Sequence, residues 1–204
     1  MSLTMDRRKL LKTLGMGAAA VILPEFGSRM VRAQQNVPVI EANSFYPRGQ
    51  WFFNPAGLYI QKGQTVRWVA GNYGPTVTAF HPSNRNHELR IPENAKPFDS
   101  WVLTQRGRKY NTFEWTFEVE GTYDYFARTF EPLGMVGRIV VGRPGGPAEL
   151  NPPGYGAREG RAVVFPAEVK ILAALPSAQI VAQKSIPYPK DLVFRSFPYG
   201  DLNK

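Results

Sequence analysis

The stretch GTYDYFARTFEPLGMVGRIVVG, residues 121–142, predicts two β-strands joined by a loop. Gly121 turns the chain, and an aromatic-rich strand follows over residues 123–127. A second strand, rich in β-branched residues, covers residues 137–141. We expect the rest of the chain to be organised around this pair of strands and the loop between them.

Strand signals also precede this stretch. Residues 58–60 and 65–69 flank a turn, which predicts a hairpin or a corner with Val66 and Trp68 on the buried side. Residues 76–81 form a short β-branched run. Residues 113–119 alternate large apolar with polar side chains, which predicts a half-buried strand. Strands at this spacing predict an all-β Greek-key sandwich, with a long polar loop and at most one helical turn over residues 82–111.

The composition agrees with one globular domain that carries extensions. The chain has 204 residues, of which 43% are hydrophobic and 13% aromatic, so it can bury a core. Its 18 prolines and 19 glycines indicate many turns between short elements, which favours an all-β architecture over a helical bundle. Cysteine is absent, so no disulfide and no thiolate ligand can form.

The net charge of +9 lies partly at the N-terminus. Residues 1–33 hold six basic and two acidic side chains, which leaves nineteen basic and fourteen acidic ones, a net of +5. This modest charge suits an acidic partner or an anionic surface, and the sequence contains no recognisable nucleic-acid motif.

Four segments together resemble the plastocyanin and halocyanin branch of the cupredoxins, a family of blue-copper proteins. They cover most of residues 50–142 and are FFNPAGLYIQKGQTVRWV (52–69), TVTAFHP (76–82), RIPENAKPFDSWVL (90–103) and the stretch 121–142. The resemblance implies a cupredoxin-like sandwich.

The resemblance also implies that the copper site is lost. In these proteins the last loop carries a Cys, a His three positions later and a Met five positions after that. The same spacing falls here on Ala127, Phe130 and Met135, and the remaining ligand His aligns with Pro75. Only Met135 could coordinate a metal, and then only as a weak axial ligand. No cofactor is therefore expected, with Phe130 filling the former site and Ala127 making room for it.

The N-terminus resembles a twin-arginine export motif, with Arg7 and Arg8 followed by an apolar run to residue 23. Two fates remain open: removal by cleavage after Ala33, or retention as a membrane anchor. Residues 10–23 span only about 21 Å as a helix, short of the ~30 Å hydrocarbon core, so extra turns and snorkelling of Lys9 and Lys12 would be needed. A retained helix would pack on other transmembrane helices through its small residues, Gly15, Gly17, Ala18, Ala19 and Ala20.

Other candidate sites are weak. His81 and His87 are six residues apart beside a proline and asparagines, so we expect them to be turn histidines without a metal. Glu114 and Glu118 share a solvated strand face. The sequence contains no catalytic triad spacing, phosphate-binding glycine loop or credible acid pair, so we expect the protein not to be an enzyme.

The C-terminal part differs in character. Residues 143–156 are rich in proline and glycine and predict an extended surface segment. Residues 166–175 and 177–185 predict two helices separated by Pro176, with Ser177 as a possible N-cap. Large apolar side chains throughout this tail must either wrap the sandwich or contact a partner, and we favour the partner.

These interpretations divide the chain into an export signal or anchor (1–33), a cupredoxin-like domain (34–142) and a C-terminal extension (143–204). The leading function is a non-catalytic, copper-free subunit that docks on a membrane electron-transfer assembly. The family resemblance suggests a photosynthetic reaction centre with its light-harvesting ring, at the periplasmic face of the inner membrane. The alternatives are an electron carrier with an altered metal site and a small-ligand-binding module with a pocket near Phe130.

Overall fold

A computed structural model describes residues 36–45, 50–71, 74–84, 88–104, 111–153 and 165–192. The contacts divide the chain into Met1–Gln35 and Asn36–Lys204, and every described residue belongs to the second unit. The predicted export motif, the apolar run at residues 10–23 with its small residues, and His87 lie outside the described residues.

Nine strands in the described part of the chain form two sheets. They are Val39–Phe45 (β1), Gln50–Asn54 (β2), Gly57–Ile60 (β3), Thr65–Ala70 (β4), Thr78–Ala79 (β5), Thr112–Thr116 (β6), Gly121–Phe126 (β7), Val136–Val141 (β8) and Ser185–Ile186 (β9). One sheet has the order β2-β1-β4-β6 and the other β5-β7-β8-β3-β9. The predicted β-sandwich is therefore confirmed.

The connection at Lys62 and Gly63 is a corner and not a hairpin, because β3 and β4 lie in different sheets. Gly63 has a φ of +83°, a left-handed conformation that glycine adopts at little cost. Along β4, buried Val66 and Trp68 flank exposed Arg67, as the alternation predicts. Trp68 lies in the core between the sheets, where its ring meets that of Tyr125 edge-on with centroids 5.5 Å apart.

Residues 76–111 depart from the prediction. The β-branched run at 76–81 contains only the two-residue strand β5, and a single 3-10 turn follows at Pro82–Asn84. The expected polar loop also buries Arg90, Ile91, Phe98 and Leu103. Asp99 forms a bridge to Thr78 of β5, so this segment lies along the edge of the five-stranded sheet.

Three helices follow the sandwich: Pro147–Leu150 (α1), Pro166–Ala173 (α2) and Ser177–Gln183 (α3). The segment expected to run extended over the surface thus contains α1, in which Pro147 and Ala148 are buried. The prediction of Ser177 as the N-cap of α3 is wrong, because Pro176 occupies that position. The Ser177 hydroxyl instead donates to the Glu149 carboxylate.

The outer face of the five-stranded sheet is covered by the C-terminal part of the chain. Ile171 and Leu172 of α2 and Ile180 of α3 are buried in a cluster with Phe126 and Val140 of the sheet. These tail residues therefore wrap the sandwich, so their burial requires no partner. Phe165, another residue behind the partner expectation, is half-buried. The remaining ones lie outside the described residues: Val163, Val164, Val193, Phe194, Phe197 and Tyr199.

None of the helices that the structure describes has the length and apolar character needed to cross a membrane.

Candidate functional site

The loop between β7 and β8 is closed by its own backbone. The Ala127 amide donates to the Met135 carbonyl (3.0 Å), and the Phe130 amide donates to the Ala127 carbonyl (2.9 Å). A 3-10 turn at Glu131–Leu133 follows, and Gly134 ends it with a φ of +83°. The predicted strand-loop-strand therefore forms, with a compact turn between its strands.

The side chains at the three predicted loop positions lie in or against the core. Ala127 and Met135 are both 0% exposed, and half-buried Phe130 packs against the same cluster. The Phe130 ring stacks on the Trp51 indole of β2, with centroids 5.9 Å apart and planes inclined by 22°. Phe130 thus connects this loop to a strand of the opposite sheet.

Pro75, the fourth predicted position, is buried, and its carbonyl accepts a hydrogen bond from the Leu103 amide (2.9 Å). The next residue, Thr76, makes a hydrogen bond to the loop. The Thr76 hydroxyl accepts a hydrogen bond from the Arg128 amide (2.9 Å) and exchanges another with Thr78 Oγ1 (2.9 Å). This placement follows from the register of β5 and β7, in which Thr78 faces Phe126.

These residues do not fit a blue-copper centre. Such a centre requires a thiolate and two imidazoles, with a weak axial thioether. Here Ala127 and Phe130 offer no donor atom, Pro75 and Thr76 offer no imidazole, and Met135 contributes only a thioether sulfur. Copper chemistry at this loop would lack all of its strong ligands.

His81 occupies a turn, as expected. Its Nδ1 is 2.8 Å from Ser83 Oγ and accepts a hydrogen bond from the Ser83 amide (3.1 Å). Partial burial lowers the pKa of His81. Within the described ranges, no group of three or more His, Asp or Glu side chains is arranged to hold a metal ion.

A buried ion cluster on the outer face of the sheet was not predicted. Asp124 of β7 lies directly opposite Arg138 of β8 in the strand register. Arg138 Nε donates to Asp124 Oδ1 (2.7 Å), and Arg90 Nε donates to Asp124 Oδ2 (2.8 Å). Asp124 and Arg90 are 0% exposed and Arg138 is 7% exposed.

This cluster ties the tail to the sheet. Arg138 Nη1 donates to the Leu175 carbonyl between α2 and α3 (3.1 Å), and Arg90 Nη1 donates to the Asn151 carbonyl after α1 (3.1 Å). Burial by itself would raise the pKa of Asp124, but the charges and hydrogen bonds of Arg138 and Arg90 outweigh it and lower that pKa. The Asp124 carboxylate is therefore charged between the guanidinium groups of Arg138 and Arg90.

Three further buried carboxyl groups interact with one another, and one of them is on α2 itself. Glu168 of α2 is buried, as are Glu131 of the loop and Glu88. Burial, together with the negative charges of Glu131 and Glu88, raises the pKa of Glu168 to about 9. Protonation of Glu168 at neutral pH thus removes one of the negative charges between α2 and the loop that carries Phe130.

A cavity of about 270 Å³ opens elsewhere, beside β6. It is lined by Asn94, Ala95, Lys96, Trp115, Thr116, Glu118, Val119 and Tyr123. None of the predicted loop positions contributes to it.

Comparison with known proteins supports the sandwich fold. No protein-family model matches the chain. A plastocyanin from Scenedesmus fuscus is 31% identical over 97 residues, which make up 46% of this chain and 89% of that protein. The solved structure of pseudoazurin from Methylobacterium extorquens AM1 superposes with a TM-score of 0.50 at 18% identity, covering 71% of this chain and 99% of the pseudoazurin. A purple cupredoxin from Nitrosopumilus maritimus shows 26% identity and a TM-score of 0.36, covering 51% and 98% of the two chains.

Proposed function

The chain belongs to the plastocyanin family, and from that premise we propose that it is a copper-free member that acts as a non-catalytic subunit of a membrane electron-transfer assembly. In this role it docks on the assembly and stabilises it, and it carries no electron itself.

One observation carries the proposal: the loop at the family's ligand positions joins two paired strands, while those positions are packed in or against the core. Ala127 and Met135 are fully buried, and Phe130 stacks on Trp51. A chain that had lost a single ligand would leave buried polar groups without partners, at a cost of about 1–3 kcal/mol each. Replacement of all the strong ligands by residues without an imidazole or a thiolate avoids that cost and keeps the fold.

The domain can keep a stable fold without the metal. The ion pairs of Asp124 with Arg90 and Arg138, and the cover of α2 and α3, stabilise it without a cofactor. A module that retains a carrier's shape can keep a carrier's docking site after it loses the metal. The last part of the proposal is that the chain acts as a subunit and not as an electron carrier. It rests on the resemblance to cupredoxins, which commonly dock on electron-transfer complexes.

The most specific form of the proposal names a bacterial photosynthetic reaction centre with its light-harvesting ring. In it, Arg7 and Arg8 direct export by the twin-arginine route, and a retained helix over residues 10–23 holds the domain at the periplasmic face of the inner membrane. Its small residues would then contact transmembrane helices of the assembly.

The test is purification of the tagged chain from native membranes in mild detergent, followed by identification of the proteins present in equal amount. We expect a stoichiometric electron-transfer complex that withstands a high-salt wash, and metal analysis should find no bound copper. A monomer that begins near Gln34 and leaves the membrane in salt would refute the subunit role. Stoichiometric copper with strong blue absorption would refute the copper-free site.

The two alternatives give different results in the same preparation. An electron carrier with an altered metal site requires a tightly bound redox metal, for which this loop offers only the Met135 sulfur. A small-ligand module requires a pocket, and the cavity beside Trp115 and Tyr123 is a better candidate than the surroundings of Phe130. A small molecule that co-purifies and is lost on Trp115→Ala would favour that function.

A further inference from the structure

The cavity beside β6 has apolar and aromatic walls. Trp115, Tyr123, Ala95 and Val119 line it, and its volume is about 270 Å³. Sites for small ligands commonly enclose ~300–1,000 Å³ and are lined mainly by hydrophobic and aromatic side chains. This cavity is therefore at the small end of that range, and it suits a molecule of the size of one amino acid rather than a peptide.

The walls are held in place by the protein itself. Trp115 of β6 lies opposite Val66 of β4 in the strand register, and its ring stacks on that of Phe113 with planes inclined by 21°. The Tyr123 hydroxyl donates to the Val119 carbonyl (2.7 Å). A site whose walls are already ordered loses little conformational entropy when it binds a ligand.

The polar side chains at the cavity differ in whether they have partners. Thr116 Oγ1 is 2.7 Å from Thr65 Oγ1, so these two hydroxyl groups bind each other. Lys96 and Glu118 line the same cavity with opposite charges. Neither of these two side chains forms an ion pair or a hydrogen bond with a residue in the described part of the chain. The cavity therefore offers one free ammonium group and one free carboxylate.

This pair of charges restricts the kind of ligand that fits. A ligand with one charge would pair with Lys96 or with Glu118 and would leave the other group partly desolvated without a partner, which costs free energy. A ligand that carries both a carboxylate and an ammonium group pairs with both residues. An aromatic ring is the apolar group that gains most from contact with Trp115 and Tyr123, because aromatic pairs attract beyond the area that they bury.

We propose that this cavity binds a free aromatic α-amino acid. Lys96 binds the carboxylate of the ligand, Glu118 binds its ammonium group, and its ring packs against Trp115 and Tyr123. The inference does not rest on the subunit role, because no residue of the β7–β8 loop lines the cavity.

The experiment is isothermal titration calorimetry of the purified full chain in mild detergent with L-phenylalanine. We expect saturable binding at one site. Three analogues each lack one feature of the ligand: 3-phenylpropionate lacks the ammonium group, phenethylamine lacks the carboxylate and L-alanine lacks the ring. Each should bind at least about 10-fold more weakly, because it loses a charged contact or the burial of the ring.

Two charge variants identify the groups that bind the ligand. Lys96→Gln should weaken binding of L-phenylalanine and 3-phenylpropionate several-fold without weakening phenethylamine. Glu118→Gln should weaken L-phenylalanine and phenethylamine several-fold without weakening 3-phenylpropionate. Both side chains are exposed, so neither change should disturb the fold. Lys170→Gln and Glu114→Gln are the matched controls, because these residues are also exposed but do not line the cavity.

An absence of saturable L-phenylalanine binding would overturn the proposal. Equal affinity for L-phenylalanine and either of its singly charged analogues would also overturn it, as would an affinity that neither Lys96→Gln nor Glu118→Gln changes. The subunit role fails separately, because it is measured by co-purification from membranes and this site by calorimetry of the isolated chain.

Discussion

The phenyl ring of Phe130 stacks on the indole of Trp51, 5.9 Å between centroids, and so joins the β7–β8 loop to the four-stranded sheet. In a copper-binding relative the residue at this loop position would be a histidine that ligates the metal. Here the same position links the two sheets through an aromatic contact, which is worth about 0.5–1.5 kcal/mol beyond the area it buries.

Phe130→Ala should therefore lower the free energy of unfolding by about 1–3 kcal/mol, less than for a fully buried phenylalanine because Phe130 is partly exposed. Phe130→Leu should cost less than the alanine change. Trp101→Ala removes an exposed aromatic and serves as the control, with an expected change within about 0.5 kcal/mol. An unchanged melting temperature for Phe130→Ala would show that the ring does not fill the former site.

A copper site should be recoverable only with the full ligand set. Ala127→Cys with Phe130→His supplies a thiolate and one imidazole beside Met135, and we expect no strong blue absorption from that pair. Alignment places the missing histidine at Pro75, which by alternation lies on the side of Val77, a member of the same core cluster as Ala127. Thr76 instead shares a hydrogen bond with Thr78 on the other side. We therefore expect Pro75→His to complete the site in the triple variant and Thr76→His to fail. Blue absorption in the Thr76 triple alone would show that the alignment does not identify the ligand position.

The sandwich could be predicted from the sequence because its signals are local. Alternation along β4 placed Val66 and Trp68 inside and Arg67 outside, and the structure agrees. The same rule would place Asp124, which alternates with Tyr123 and Tyr125, on the solvent side, yet it is buried. Both faces of β7 are buried, because the tail covers the outer face. The local sequence of β7 cannot show that residues 165–192 will pack on it.

The burial of Arg90 also could not be predicted from local sequence. It lies in a stretch that is polar by composition, yet it is fully buried because its partner, Asp124, is 34 residues away along the chain. A signal was available in the tail, whose large apolar side chains require a sheet face to cover. The sequence could not tell which polar residues that face would hold.

Arg138→Met should be strongly destabilising, because it leaves the buried Asp124 carboxylate with Arg90 alone and frees the Leu175 carbonyl. The expected loss is about 3–5 kcal/mol in urea unfolding. Arg67→Met is the matched control, because its pair with Glu114 is shorter, 2.5 Å against 2.7 Å, but both side chains are roughly half exposed. The loss should therefore stay below about 1 kcal/mol. Similar losses for the two variants would contradict the role given to the buried cluster.

The carboxyl group of Glu168 should make stability fall as the pH rises. Its pKa is about 9 in the folded protein, against an ordinary value of 4.5, so the folded state holds this proton more tightly than the unfolded state does. The stabilising contribution is complete below about pH 4.5 and is lost progressively up to about pH 9. The groups that face Glu168 are Glu131 and Glu88, which raise its pKa, and Arg90, which lowers it.

Glu168→Gln keeps the shape and the neutral state at every pH. Relative to wild type, it should therefore gain stability between about pH 5 and pH 8 by up to about 1.4 kcal/mol per pH unit, and the difference should level off above pH 9. Ala173→Gln, on the exposed side of the same helix, controls for the added amide and should give a difference that does not vary with pH. Urea unfolding at several pH values measures all three proteins. A Glu168→Gln difference that stays constant from pH 5 to pH 9 would mean that Glu168 is already charged in the folded protein.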